Sequence, residues 1–165
     1  MEDHYIYKEF EPYLTNDLSI DSKYIKNRLI RQIIWYDKSS ISKRNKYKNY
    51  TIFSIILTGI IPILSLFTGF EYGLIATILI TASSGASATI LSIVTLCEYQ
   101  KLWIEYRSTC EILKSMLHRY FTNTGEFSCN DQEVNFNLLT ASCEEYMTKE
   151  FQTWTALSHS CEKEQ

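Results

Sequence analysis

The residues best spaced to act together are hydroxyl and small side chains in an uncharged stretch. Thr77, Thr81, Ser84, Ala88 and Thr95 follow one another at steps of four, three, four and seven, with Gly73 one step before them. At 100° per residue these positions lie within roughly 40° of one line on a helix. Such a strip has two uses. Small residues let helices approach closely, and Ser or Thr can hydrogen-bond across the contact. In a ring of subunits the same strip lines a water-filled path for ions, and Ala88 marks a narrow apolar point on it. The stretch holds no charged residue, which argues against a proton relay or a voltage sensor.

Nothing else in the chain is arranged for catalysis. His4, His118 and His159 are scattered, and there is no GxSxG elbow or glycine-rich phosphate loop. The cysteines are Cys97, Cys110, Cys129, Cys143 and Cys161, no two closer than 13 residues. They match neither a zinc site nor a disulfide framework, and are read as reduced thiols. Glu105, Glu111, Glu144, Glu145 and Glu150 sit among basic residues, as on solvated or ion-paired helix faces. The sequence therefore reads as a non-enzyme without metal or cofactor. A net charge of −3 is too small to argue for nucleic acid.

The strip must be carried by a helix, and the charge pattern shows which kind. Tyr50 to Phe70 is a run of 21 uncharged residues, and Tyr72 to Cys97 one of 26. About 20 apolar residues suffice to cross a bilayer core of roughly 30 Å. The expected fold class is therefore an all-α membrane protein, with two transmembrane helices in a hairpin extended into a long cytoplasmic helical bundle. The expected segments are a loose lead-in over 1–17, a cytoplasmic helix over 18–49, and transmembrane spans over 50–70 and 73–97 joined by a hairpin at 71–72. A continuation of the second helix over 98–122 and a last antiparallel helix over 131–158 complete it. The N-terminus is acidic and has no apolar signal-peptide core.

Charge asymmetry sets the expected topology. Lys38, Lys43, Arg44, Lys46 and Lys48 precede the first run, and Lys101, Arg107 and Lys114 follow the second. The hairpin has neither Lys nor Arg. Positive residues stay inside, so both termini are expected in the cytoplasm of a cell with an inner membrane. The basic cluster reads either as a solvated helix face or as a contact for anionic lipid headgroups. Pro62, with Gly59 and the carbonyl of Thr58 four residues before it, is an expected kink, read as a packing bend or a gating hinge.

Beyond the second run, Leu96, Tyr99, Trp103, Tyr106, Cys110, Leu113, Leu117 and Tyr120 alternate at steps of three and four. That is a heptad seam. It lies close in angle to the hydroxyl strip, so one side of one long helix is expected to face other protein and to set a homo-oligomer. Phe136, Leu139, Cys143, Met147, Phe151 and Trp154 form an apolar face on the last helix.

The order of elements, with Trp35-Tyr36-Asp37 before the hairpin and Trp103, Tyr106, Arg107, Glu111 and Leu113 after it, resembles the SLATT superfamily of two-transmembrane domains. Glu150 and Trp154 resemble a family-type ending. The resemblance implies a bacterial membrane effector of a stress or defence system. Two functions remain open. One is an ion-conducting pore passing a monovalent cation, lined by Thr77, Thr81, Ser84, Ala88 and Thr95, with Glu71 and Glu98 at its mouths. The other is a non-conducting membrane scaffold or sensor that holds a partner through its cytoplasmic bundle.

Overall fold

The computed structural model describes residues 5–14, 23–69 and 73–162, with side chains up to Lys149. Among these residues the structure is helical without strands. The helices are α1 (Tyr5–Phe10), α2 (Ile30–Ser65), α3 (Gly73–Leu96), α4 (Tyr99–Phe121) and α5 (Gln132–Glu162). A π-helical turn, Ile25–Leu29, leads into α2. The 71–72 hairpin with Glu71, and His4, lie outside the described residues, as does the side chain of His159. So do the side chains of Glu150, Phe151, Trp154 and Cys161. The chain divides into two compact units, Met1–Asp37 with Arg107–Gln165, and Lys38–Tyr106.

The first unit is a helical bundle with an apolar core. Its periodic stripes are the reason it closes. Leu29, Ile33 and Tyr36 lie at steps of four and three, as do Cys110, Leu113, Leu117 and Tyr120 on α4, and all are buried. Leu139, Cys143 and Met147 do the same for α5. Two of its thiols sit inside: Cys110 Sγ lies 3.7 Å from the Ile33 carbonyl, and Cys143 Sγ lies 4.0 Å from Met116 Sδ. The segment expected to be a loose lead-in contributes α1, whose Ile6 and Phe10 are fully buried. Phe10 packs on the His118 and Phe121 rings at 4.7 and 6.1 Å. Two large apolar side chains in six residues suffice to hold so short a helix against a bundle.

α4 stops where Asn123 and Gly125 take left-handed backbone angles, φ 50 and 65. Asparagine and glycine adopt these at little cost. The Thr124 amide bonds back to the Arg119 carbonyl at 3.1 Å, satisfying an end-of-helix acceptor. Asn135 then clamps the loop, donating to the Phe127 and Cys129 carbonyls at 2.8 Å each. Asp131 Oδ1 accepts from the Glu133 amide and starts α5.

The second unit is the apolar hairpin with the start of α4. Both helices are long and apolar enough to cross a membrane, yet only 6% and 11% of their most apolar stretches are buried. Pro62 sits inside α2 without ending it. Ser65 and Thr68 hydroxyls donate to the Pro62 and Ser65 carbonyls and close the end of α2. A β-carbon at Gly73 would collide with the Thr68 carbonyl, so the first residue of α3 has to be glycine.

The expected unbroken exit from the second run is corrected here. Between α3 and α4 the helix is interrupted at Cys97 and Glu98, and Glu98 has φ 44. A left-handed non-glycine residue costs roughly 1 kcal/mol, and neither residue is a helix breaker, so no local signal announces it. The turn is closed by backbone bonds from Glu98 to Thr95 and from Leu102 to Glu98, 3.1 and 3.0 Å.

Candidate functional site

α2 and α3 meet through hydroxyls. Ser54 Oγ and Ser87 Oγ lie 2.8 Å apart, and Thr58 Oγ1 lies 2.8 Å from the same Ser87 oxygen. Thr58 also lies 2.9 Å from the carbonyl of Ser54. Ser54 and Ser87 are buried, as are Ala76 and Val94 on the same side of α3. Small residues permit the close approach, and the shared hydroxyl network fixes the pairing. The network had a signal in the sequence: Ser54 and Thr58 lie four residues apart in an otherwise apolar run. Gly59 is different, because a β-carbon there would meet nothing. Among the three expected kink residues, only Thr58 joins the hairpin contact.

The hydroxyl strip is a separate face. Thr77, Thr81, Ser84, Ala88 and Thr95 are all exposed. They lie roughly 100° around the helix from Ala76, Ser87 and Val94. The hairpin therefore does not use the strip for its own packing. Thr77, Thr81 and Thr95 donate to the carbonyls of Gly73, Thr77 and Leu91, each at 2.9 Å. Their protons are spent on their own helix, so the oxygen lone pairs are what they present outward. Glu98 stands exposed at the end of this helix, with Lys101 Nζ 3.6 Å from its carboxylate.

The seam residues part company. Leu96 is 84% exposed, and Tyr99, Trp103 and Tyr106 are half-buried. Cys110, Leu113 and Leu117 have no exposed surface, because the chain's own bundle covers them. They are core residues of this chain rather than a surface for another copy. A heptad pattern states only that a helix is apolar on one side; it does not say whose side chains fill the groove.

Sequence reasoning named Asp37 and Arg107 without pairing them. Asp37 is fully buried in the first unit. Its Oδ1 accepts from the Tyr5 hydroxyl at 2.8 Å and from Arg107 Nη1 at 3.0 Å. Arg107 Nη2 holds Glu111 at 2.5 Å. Burial, then the bond to Asp37, pushes the Tyr5 phenol up to about 12. Two further clusters tie the bundle. Glu9 pairs with Lys114 and His118 at 3.0 Å each. Arg28 forks onto Glu144 at 3.1 and 3.0 Å while Tyr24 donates to it at 2.9 Å, and the Arg28 bond holds the Glu144 carboxyl below its usual range. These are ties between helices. Among the described residues no group of three His, Cys, Asp or Glu side chains could hold a metal ion.

The thiols allow a direct check on this core. Cys97, Cys110, Cys129 and Cys143 are free. Burial pushes Cys110 up to about 11 and Cys143 up to about 12, while Cys129 is exposed. A thiol reacts through its thiolate, so both buried cysteines should be inert at pH 8. Maleimide labelling followed by peptide mass spectrometry should mark Cys129 in minutes, and Cys110 and Cys143 only after denaturation. Prompt labelling of Cys110 in folded protein would contradict the described core.

Residues 31–135 match the model of a family described as proteins of unknown function, DUF4231. No curated protein and no solved structure matches the chain.

Proposed function

Because the chain belongs to the DUF4231 family, its activity must be read from its own residues, and we propose that it is a homo-oligomeric inner-membrane protein forming a cation-preferring pore. One observation carries this reading: an apolar hairpin buries its own contact through Ser54 and Ser87 and leaves a second hydroxylated strip exposed. Exposed apolar residues such as Ile55, Ile63, Leu74 and Ile78, each more than half exposed, need a bilayer or other protein around them. The absence of Lys and Arg between the two runs supports a topology with both termini in the cytoplasm.

The strip supports a path for ions. Outward lone pairs on Thr77, Thr81 and Thr95 suit a cation and repel an anion. Glu98 at the inner mouth and Glu71 at the outer one add negative charge at each end. Since Cys110, Leu113 and Leu117 of the seam are filled internally, its open end, Leu96 with Tyr99 and Trp103, carries the contact between copies. On its resemblance to the SLATT superfamily, the pore is an effector of a bacterial stress or defence system.

Flux measured in liposomes under separate K⁺, Na⁺ and Cl⁻ gradients tests this. Cation flux should exceed chloride flux, and Ser84→Leu, in protein that still assembles, should reduce it about tenfold or more. Chloride flux as large as cation flux, or a Ser84→Leu protein that conducts like the wild type, would sink the pore. The second reading, a scaffold, is favoured by Trp35, a residue 50% exposed in the first unit as a partner contact would be.

A further inference from the structure

We propose that the cavity beside the Glu98 turn binds one phospholipid with a zwitterionic, amine-bearing headgroup, phosphatidylethanolamine. The proposal rests on the membrane reading above. The cavity lies within the second unit and measures about 720 Å³. Leu91, Val94 and Ile104 supply much of a wall that is mostly apolar, and Glu98, Lys101 and Glu105 supply its charges.

Its level is set by the sequence. Lys48 is the last charge before the uncharged part of α2, and Glu98 is the first after α3. Thr51 and Thr95, three residues inside each, both line the cavity. The cavity therefore straddles the boundary between apolar and charged wall, where a lipid headgroup meets its acyl chains. Tyr50 and Tyr99 stack there with ring centroids 6.1 Å apart, and Lys43 Nζ lies 5.6 Å from the centre of the Tyr99 ring, as in an interfacial aromatic belt.

The charges choose the headgroup. Lys101 pairs with Glu98 at 3.6 Å, while Glu105 is partly buried and has no ion-pair partner among the described residues. The wall thus offers one cation and two carboxylates. An anionic glycerol headgroup would face two like charges. A choline headgroup has no N–H to donate. An ethanolamine headgroup places its phosphate on Lys101 and donates from its ammonium to Glu105, both as charge-assisted bonds. Its upper acyl carbons then lie along Leu91, Val94 and Ile104.

The test uses the full chain, purified, stripped of lipid and offered phosphatidylethanolamine, phosphatidylcholine and phosphatidylglycerol of the same chain length, with retention read by native mass spectrometry. The ethanolamine lipid should be retained roughly threefold to fivefold over the choline lipid, the size of one half-exposed ion pair. Glu105→Gln should bring the two to parity. Leu91→Trp should abolish retention of all three by filling the cavity; Leu91 is 48% exposed, so the larger ring has room, and circular dichroism checks that the helices persist. Equal retention in the wild type, or an unchanged preference in Glu105→Gln, overturns the proposal. Strongest retention of phosphatidylglycerol also overturns it and moves the contact to the basic cluster around Lys43 and Arg44. Carbonate extraction of membranes separates the two levels. Release into the soluble fraction overturns the membrane reading, whereas a protein that stays in the membrane without headgroup preference overturns only the lipid site.

Discussion

Leu117→Ala is expected to destabilise the protein by about 3 kcal/mol, while Leu96→Ala should stay within about 0.5 kcal/mol of the wild type. Both leucines belong to one heptad pattern, and the pattern alone predicts similar effects. Burial separates them. Leu117 has no exposed surface, and Leu96 is 84% exposed. Truncating Leu117 removes buried methyl groups and leaves a cavity in a packed bundle, which relaxes only partly. Truncating Leu96 removes contacts that the single chain does not make. Unfolding followed by circular dichroism, with labelling of Cys110 as a local reporter, measures both. Crosslinking of copies supplies the opposing result. A Leu117→Ala protein of wild-type stability that falls apart into monomers would return Leu117 to the surface between subunits.

Asp37→Ala should cost about 2 to 3 kcal/mol, chiefly by leaving groups that were satisfied without partners. The carboxylate is fully buried and accepts from Tyr5 and Arg107. Its loss releases α1 through Tyr5 and α4 through Arg107. The Arg107 side chain is 46% exposed, so its own share is screened by water. Arg107→Met should therefore be milder, about 1 kcal/mol, and a double-mutant cycle should find the two effects coupled. Full additivity would mean that the pair contributes nothing beyond its separate parts. Asp37→Asn keeps the shape and an acceptor, so it should fall between the two. Thermal unfolding of the wild type, the three single variants and the double variant under one set of conditions decides the order.

The two variants also show how much a reader of the sequence can see. The stripe through Cys110, Leu113 and Leu117 was visible as a period, and so was the acid in Trp35-Tyr36-Asp37. Their partners were not, because Tyr5 and Asp37 are 32 residues apart and Asp37 and Arg107 are 70 apart. No local rule relates such distant positions. α1 was missed for a related reason. Six residues make a poor helix alone, and only a bundle to bury Ile6 and Phe10 against makes this one worth its loss of chain entropy.

The hydroxyls divide in the same way. Thr77, Thr81, Ser84, Ala88 and Thr95 share a face by helical geometry alone. Whether α2 covers that face depends on how two helices rotate against each other. Ser54 and Ser87 decide that rotation with a contact buried on both sides.

By itself the sequence determined the all-helical class, the two long apolar helices and the positions that share each helix face. These follow from run length, charge and a 3.6-residue period, all of which act between near neighbours. Tertiary structure alone decided which faces are covered, that Glu98 interrupts the second helix, and that Cys110, Leu113 and Leu117 fill this chain's own core. The physical reason is that apolar burial is non-directional: a stripe must be covered, and only the packed chain determines by what.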